Sequence, residues 1–143
     1  MKINGCPLCE SDAGLLVFKN KQLRVIQAVE AGFPAFYRVV WNAHVAEFSD
    51  LLSDERNACI NAVVTVEQVL REQLKPSKIN LATLGNMVPH LHWHVIARFD
   101  WDSHFPGSVW AAPLRPLNLQ KLGQLFAQCV QMNQLMAEKL AQT

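Results

Sequence analysis

The residues best suited to chemistry are three histidines spaced two apart, His90, His92 and His94, out of five in the chain. Side chains alternate between the faces of a β-strand, so the three imidazoles are predicted to share one face while the apolar residues between them point to the core. On a helix the same spacing would spread the rings around the circumference. Imidazole titrates near pH 6.5, roughly, so each ring is available at neutral pH as a nucleophile, base or ligand.

This row of histidines supports two kinds of chemistry. In the first, one imidazole attacks a phosphorus atom and forms a covalent phosphohistidine-type intermediate, while its neighbours donate hydrogen bonds to the phosphate oxygens. In the second, the row binds a metal such as zinc, and the metal activates water. Both chemistries are compatible with the spacing.

The composition indicates one compact domain, residues 1–143. Half of the residues are hydrophobic and 17% are charged, which is typical of a globular chain with a sizeable core. The formal net charge of +1 does not indicate a general nucleic-acid surface, so an anionic ligand must be bound at a local site. The sequence shows neither a signal peptide nor a membrane span, so we expect a cytoplasmic protein without disulfides.

Periodicity and chain-breaking residues predict the elements that position the histidines. Five strands are expected, at residues 15–18, 23–28, 35–41, 78–83 and 90–99. Two helices are expected, at residues 54–74 and 117–141, and Pro76 limits the first of them. Residues 100–116 contain three prolines and are predicted to form a long aromatic loop. This order indicates an α+β fold with a mainly antiparallel sheet of about five strands and two main helices.

The histidine row and its surroundings resemble the histidine triad, or HIT, family of nucleotide-binding proteins. Residues 90–96, HLHWHVI, match the family signature His-φ-His-φ-His-φ-φ, in which φ is apolar. The resemblance covers about residues 5–100, including a Cys-x-x-Cys pair, a strand that ends in a histidine and an Asn-x5-Asn-Met-Val connection. The aromatic loop and C-terminal helix, 100–143, look like those of a bacterial branch labelled diadenosine-tetraphosphate-hydrolase-like.

The resemblance implies a HIT fold and a nucleotide hydrolase or nucleotidyl transferase. Such an enzyme acts at the α-phosphate of a dinucleoside polyphosphate or nucleoside phosphoramidate. His92 would be the nucleophile, His94 would contact the α-phosphate oxygens, and His90 would orient the site. Phosphate contacts are implied for Asn80 and Asn86. Arg98, which follows the triad as in the family, is also predicted as a substrate contact, and a salt bridge is the open alternative for it. The resemblance implies no cofactor for catalysis, and it implies a homodimer.

Two other functions stay open: a nucleotide-binding protein without turnover, and a metal-dependent hydrolase that uses the histidine row. Met87 stands where the family often has Ser or Thr, so a phosphate-binding hydroxyl is missing. The acidic or amide residue that would hold the ribose is not evident near Ala28–Glu30. These two departures bear on nucleotide preference and on turnover more than on the fold.

The Cys6-x-x-Cys9 pair has two interpretations. It is either two free thiols in a turn or half of a closed tetrahedral zinc site completed by two histidines. Some relatives in the resembling family use such a pair with the histidine after the third strand and the first histidine of the triad, here His44 and His90. The second interpretation predicts structural zinc and gives His90 a structural role.

Overall fold

The computed structural model, which describes all 143 residues, contains a five-stranded antiparallel sheet with two long helices on one face. In chain order the elements are α1 (Pro7–Glu10), β1 (Leu15–Lys19), β2 (Leu23–Gln27), β3 (Phe36–Trp41), a 3-10 turn (Phe48–Asp50), α2 (Ser53–Leu74), β4 (Lys78–Ala82), β5 (His92–Arg98) and α3 (Leu119–Ala141). The spatial order of the strands is β1-β2-β3-β5-β4. The predicted α+β fold with five strands and two main helices is therefore confirmed.

The predicted histidine strand is wrong at its start, because β5 begins at His92 and not at His90. The backbone N–H of His90 donates to the carbonyl of Val88, and that of Leu91 donates to the carbonyl of Val45. Neither bond belongs to the regular ladder between β3 and β5. The first histidine thus lies in the loop that leads into the strand.

The helix-covered face holds the main hydrophobic core. Along α2 the buried residues recur every three or four positions, as expected for an amphipathic helix, and they are Cys59, Ala62, Val63, Val66, Val69 and Leu70. Helix α3 contributes Leu125, Cys129, Met132, Met136 and Leu140. Burial raises the pKa of the Cys59 and Cys129 thiols to about 11, so both behave as small apolar core residues.

The opposite face of the sheet carries the histidines and is covered only at its two ends. At one end the segment with α1 is held by Arg24 of β2, whose Nη2 donates to the carbonyls of Leu8 at 2.6 Å and Ser11 at 3.1 Å. At the other end the loop of residues 99–118 packs over Phe33 and Phe36. The middle of the face is left open between these two covers. None of the helices is both long enough and apolar enough to cross a membrane.

Candidate functional site

Register places the histidines of β5 beside different neighbours on β3. His92 pairs with Val40, and His94 pairs with Arg38. Directly opposed residues of an antiparallel pair project to the same face of the sheet. His92 therefore has an apolar neighbour, whereas His94 lies against a guanidinium.

A cavity of about 380 Å³ opens over His92 and His94. Its size falls within the range of small-ligand sites, about 300–1,000 Å³. One wall comes from the connection between β4 and β5, where Gly85 has a φ of +79° that favours glycine. The twelve lining residues are Pro7, Leu8, Ala13, Arg38, Leu84, Gly85, Asn86, Met87, Val88, His92, His94 and Trp110.

The ring of His92 has a defined tautomer. Its Nδ1 lies 2.6 Å from the backbone carbonyl of His90, and since a carbonyl only accepts, Nδ1 must carry the proton. Burial lowers the pKa of His92, although the bond to the His90 carbonyl offsets part of this effect. The neutral ring therefore keeps its lone pair on Nε2, at the cavity.

His94 has the opposite arrangement. The Nε–H of Arg38 donates to its Nδ1 at 3.4 Å, and because a guanidinium only donates, Nδ1 must be the unprotonated nitrogen. Burial, and then the charges of His92 and Arg38, lower the pKa of His94 to about 3. Its Nε2 then carries the proton of the neutral ring and is a hydrogen-bond donor. Edge-to-face contacts with Phe36 and Trp110 hold this ring.

His90 faces the N-terminal cysteines. Its Nδ1 lies 3.4 Å from the Sγ atoms of both Cys6 and Cys9, and the Nδ1 of His44 lies 3.4 Å from the Sγ of Cys9. One ligand atom from each of these four residues lies within 4.8 Å of the other three. Donor atoms around a tetrahedral zinc are separated by about 3.3–3.8 Å, given Zn–N and Zn–S bonds of about 2.0–2.3 Å. The Cys2His2 set therefore fits zinc.

The remaining nitrogen of His90 also has a partner. Its Nε2 lies 2.6 Å from the carbonyl of Trp41, so Nε2 carries the proton and Nδ1 offers its lone pair to the thiol side. Metal-binding histidines commonly donate their second N–H in this way. With both nitrogens engaged, His90 does not converge with His92 and His94 on one point.

The three predicted substrate contacts are separated in space. Asn86 lines the cavity, but Asn80 and Arg98 do not. Arg98 is only 1% exposed and donates to both carboxylate oxygens of Asp102, at 2.9 and 3.0 Å, and to the Oδ1 of Asn80 at 2.9 Å. Burial alone would raise the pKa of Asp102, but hydrogen bonds from Arg98 and three backbone N–H groups lower it. Arg98 therefore holds the aromatic loop onto the sheet through Asp102, and Asn80 supports Arg98 from β4.

Met87 and Glu30, the two residues at departures from the family pattern, have the following surroundings. Met87 is 93% exposed at the cavity. Glu30, the acid nearest the expected ribose contact, accepts from the Nη2 of Arg38 at 2.9 Å. Sequence reasoning missed Arg38 altogether. Its signal was a single charged residue inside an aromatic and β-branched strand.

Comparison with known proteins identifies the relatives of this chain. The HIT domain family profile matches residues 11–101. A histidine triad protein from Marinobacter aquaeolei is 23% identical, with a TM-score of 0.70, over 90% of this chain and 92% of that one. One from Bradyrhizobium japonicum is 25% identical, with a TM-score of 0.67, over 85% and 91%. A hypothetical histidine triad nucleotide-binding protein from Sulfolobus tokodaii is 14% identical, with a TM-score of 0.65, over 96% and 93%. Comparison with curated proteins finds no match.

Proposed function

The chain belongs to the HIT domain family, and we propose that it is a nucleotide hydrolase or nucleotidyl transferase with His92 as its nucleophile. The observation that carries this proposal is the bond between the Nδ1 of His92 and the carbonyl of His90. This bond leaves the lone pair on Nε2, beside a cavity of suitable size. A neutral, oriented imidazole is the form that a covalent mechanism requires.

The proposed reaction proceeds in two displacements. The Nε2 lone pair of His92 attacks the α-phosphorus and an N–P bond forms. The P–O or P–N bond to the leaving group breaks with its electron pair passing to that group, which takes up a proton from solvent. The ring becomes cationic, and its Nδ1–H bond to the His90 carbonyl stabilises this charge. His94 donates its Nε2–H to a non-bridging oxygen. Water then cleaves the N–P bond, releases the nucleoside monophosphate and restores His92.

Nucleotide recognition is supported by the family and by the lining of the cavity. A structural relative, the Sulfolobus tokodaii protein, is described as a histidine triad nucleotide-binding protein. Apolar side chains such as Leu84 and Trp110 line the cavity beside the histidines, a combination suited to a base and a phosphate. We place the chain in the diadenosine-tetraphosphate-hydrolase-like branch as part of this proposal.

We also propose that Cys6, Cys9, His44 and His90 hold a structural zinc ion. When bound, the zinc would supply a cross-link between the N-terminal segment and the start of β5, and no catalytic step would pass through it. The proposal is supported by the distances of 3.4 Å among thiols and imidazoles and by the bond from His90 to Trp41. Asn86 is proposed as a phosphate contact because it lines the cavity.

A homodimer is proposed as the functional assembly. Strand β4 is an edge of the sheet, with β5 on one side only, and its Leu81 is 44% exposed. An uncovered edge strand can pair with a second sheet. Sedimentation of the purified chain tests this: a dimer is expected, and a monomer at micromolar concentration would contradict it.

The function is tested by measuring nucleoside monophosphate release from diadenosine tetraphosphate and from an adenosine phosphoramidate. Wild type, His92→Ala and the control His104→Ala are compared, each with and without a chelator. Chelator-resistant release that is lost only in His92→Ala is the expected result. Release that vanishes with chelation in the folded protein would favour a metal-dependent hydrolase. Nucleotide binding without release of nucleoside monophosphate from either substrate would favour a nucleotide-binding protein without turnover. The missing phosphate-binding hydroxyl at Met87 is the feature that supports this alternative.

A further inference from the structure

Arg38 is the only residue with a fixed formal charge among the twelve that line the cavity. It lies in the centre of β3, a strand that is otherwise aromatic and aliphatic. A charged side chain is costly to place there unless it is paired. Its position therefore calls for an explanation beyond the fold.

The guanidinium of Arg38 is held by three neighbours. Nε donates to the Nδ1 of His94 at 3.4 Å, and Nη2 donates to the Oε1 of Glu30 at 2.9 Å. The guanidinium carbon also lies 5.2 Å from the centre of the Phe36 ring. These contacts fix its plane and leave Nη1 without a hydrogen-bond partner in the chain.

We propose that Arg38 is a positioning residue for His94 and the cation that binds the phosphate chain beyond the α-phosphate. This inference rests on the proposed nucleotide chemistry at His92. By occupying the Nδ1 of His94, Arg38 holds the proton on Nε2, where it can be donated to a phosphate oxygen. Its free Nη1 adds a charged donor to the wall of the same cavity.

Glu30 does not cancel this role. Its side chain is 43% exposed, whereas that of Arg38 is 20% exposed, and Glu30 is absent from the cavity lining. Exposed ion pairs are weak because water screens them. Glu30 therefore orients the guanidinium from the rim, while the positive charge inside the cavity has no acidic neighbour among the lining residues.

The substrate class follows from this charge. A fixed cation favours ligands in which further phosphates follow the α-phosphate, and it stabilises negative charge that develops on a phosphate leaving group. An amine leaving group gains nothing from it. The site should therefore prefer phosphoanhydrides to phosphoramidates, and its affinity for adenine nucleotides should rise with the number of phosphates.

Binding is measured by calorimetry with AMP, ADP and ATP. Wild type, Arg38→Gln, Arg38→Lys and the control Arg71→Gln, whose side chain is exposed on α2, are compared. We expect the rise in affinity from AMP to ATP to be about tenfold or more, to disappear in Arg38→Gln, and to remain in Arg38→Lys and Arg71→Gln. An equal rise in Arg38→Gln, or no rise in wild type, would overturn the phosphate-chain role.

The positioning role is measured separately, by ¹⁵N NMR of the imidazole nitrogens, with His94 assigned from a His94→Gln variant. Wild type should show a protonated Nε2 and an unprotonated Nδ1, and Arg38→Gln and Arg38→Leu should lose or weaken this preference. An unchanged His94 spectrum in two folded Arg38 variants would overturn it.

Turnover separates this inference from the proposed function. If wild type releases nucleoside monophosphate through His92 but Arg38→Gln lowers kcat/KM equally for diadenosine tetraphosphate and the phosphoramidate, the substrate preference is wrong and the function stands. If neither substrate is cleaved, the function fails. Binding and NMR still decide the role of Arg38 in that case.

Discussion

His90 and His92 are two residues apart but belong to two different regions of the molecule. The Nδ1 of His90 faces two thiols, and its Nε2 donates to the carbonyl of Trp41. The Nδ1 of His92 donates to the carbonyl of His90, and its Nε2 is left at the cavity. One ring is fully engaged within the protein, whereas the other keeps a free lone pair.

The bonding of each ring nitrogen, and not membership of the triad, therefore decides what a histidine can do. The ring of His90 contacts Cys6 and the carbonyl of Trp41, and its own carbonyl accepts from the Nδ1 of His92. His94 differs from both because Arg38 fixes its tautomer from the neighbouring strand. The α1 segment and the loop of residues 99–118, which cover the two ends of this face, thus fix the residues around the open cavity between them.

The largest effects are expected from alanine substitutions at His92 and His90, which should separate turnover from metal binding. His92→Ala should lower turnover by at least about a thousandfold, because it removes the attacking atom. Its metal content should stay at the wild-type level, since His92 is not in the Cys2His2 set. His90→Ala should lose metal. Turnover assays and elemental analysis check both variants, and loss of metal in His92→Ala would contradict the division.

Arg98→Ala tests the covered end of the same strand. We expect a loss of about 3–5 kcal/mol in unfolding free energy, because the variant leaves the buried Asp102 carboxylate without its cation. Asn80→Ala, which removes one hydrogen bond to Arg98, should cost only about 1 kcal/mol. Urea denaturation measures both. Equal losses would show that the ion pair contributes little.

Cys9→Ser tests the other covered end. The variant should lose the metal and about 2–4 kcal/mol of stability in the presence of zinc, since a ligand that binds only the folded state stabilises it by mass action. Cys129→Ser is the matched control, a buried thiol outside the cluster. It should keep its metal. Thermal unfolding with and without a chelator separates the two, and a chelator-insensitive wild type would contradict the zinc site.

Acidification tests the buried neutral ring of His94. Its pKa is about 3 in the folded chain, below the value of about 6.5 for an exposed histidine, so the unfolded chain is protonated first as pH falls. The stability present above about pH 6.5 should therefore be lost between about pH 6.5 and 3, by up to about 2 kcal/mol at pH 5. His94→Gln should show a shallower pH dependence of unfolding free energy than His104→Gln. Identical slopes would contradict the shift.

The smallest expected effect is at Met87, on the exposed rim of the cavity. Met87→Ser adds a hydroxyl near the proposed phosphate position and should raise kcat/KM by a few-fold, as one added hydrogen bond contributes about 0.5–1.5 kcal/mol. Leu84→Ser is the control at a neighbouring lining position. A gain in both variants would point to polarity in general and not to a phosphate contact.

Much of the fold was predictable because hydrophobic periodicity and chain-breaking residues depend on local structure. The alternation around His92 and His94 predicted their shared face, and the helical spacing of the Cys59 segment predicted its buried side. The Cys2His2 cluster followed only from the family resemblance, because Cys6 and His90 are 84 positions apart. Nothing local in the sequence reveals such a contact.

The remaining site residues depend on pairings that one strand does not encode. From the sequence Arg98 could contact phosphate or form a salt bridge, and the structure pairs it with Asp102 and Asn80 from other elements. In the sequence Arg38 is only a single charge within an apolar strand. The register between β3 and β5 places it opposite His94. His90 lies outside the hydrogen-bond ladder between β3 and β5. Its backbone N–H donates to the carbonyl of Val88 instead. In each case the missing information was the partner and not the residue type.

Direct attack of His92 on phosphorus is tested by the stereochemistry at the phosphorus atom. An adenine dinucleotide with a chiral α-phosphorothioate is hydrolysed in ¹⁸O-labelled water, and the configuration of the released nucleoside phosphorothioate is determined. Two successive displacements, at His92 and then by water, predict net retention. Inversion would mean that water attacks the substrate in a single step, and it would contradict the account of His92 as the nucleophile.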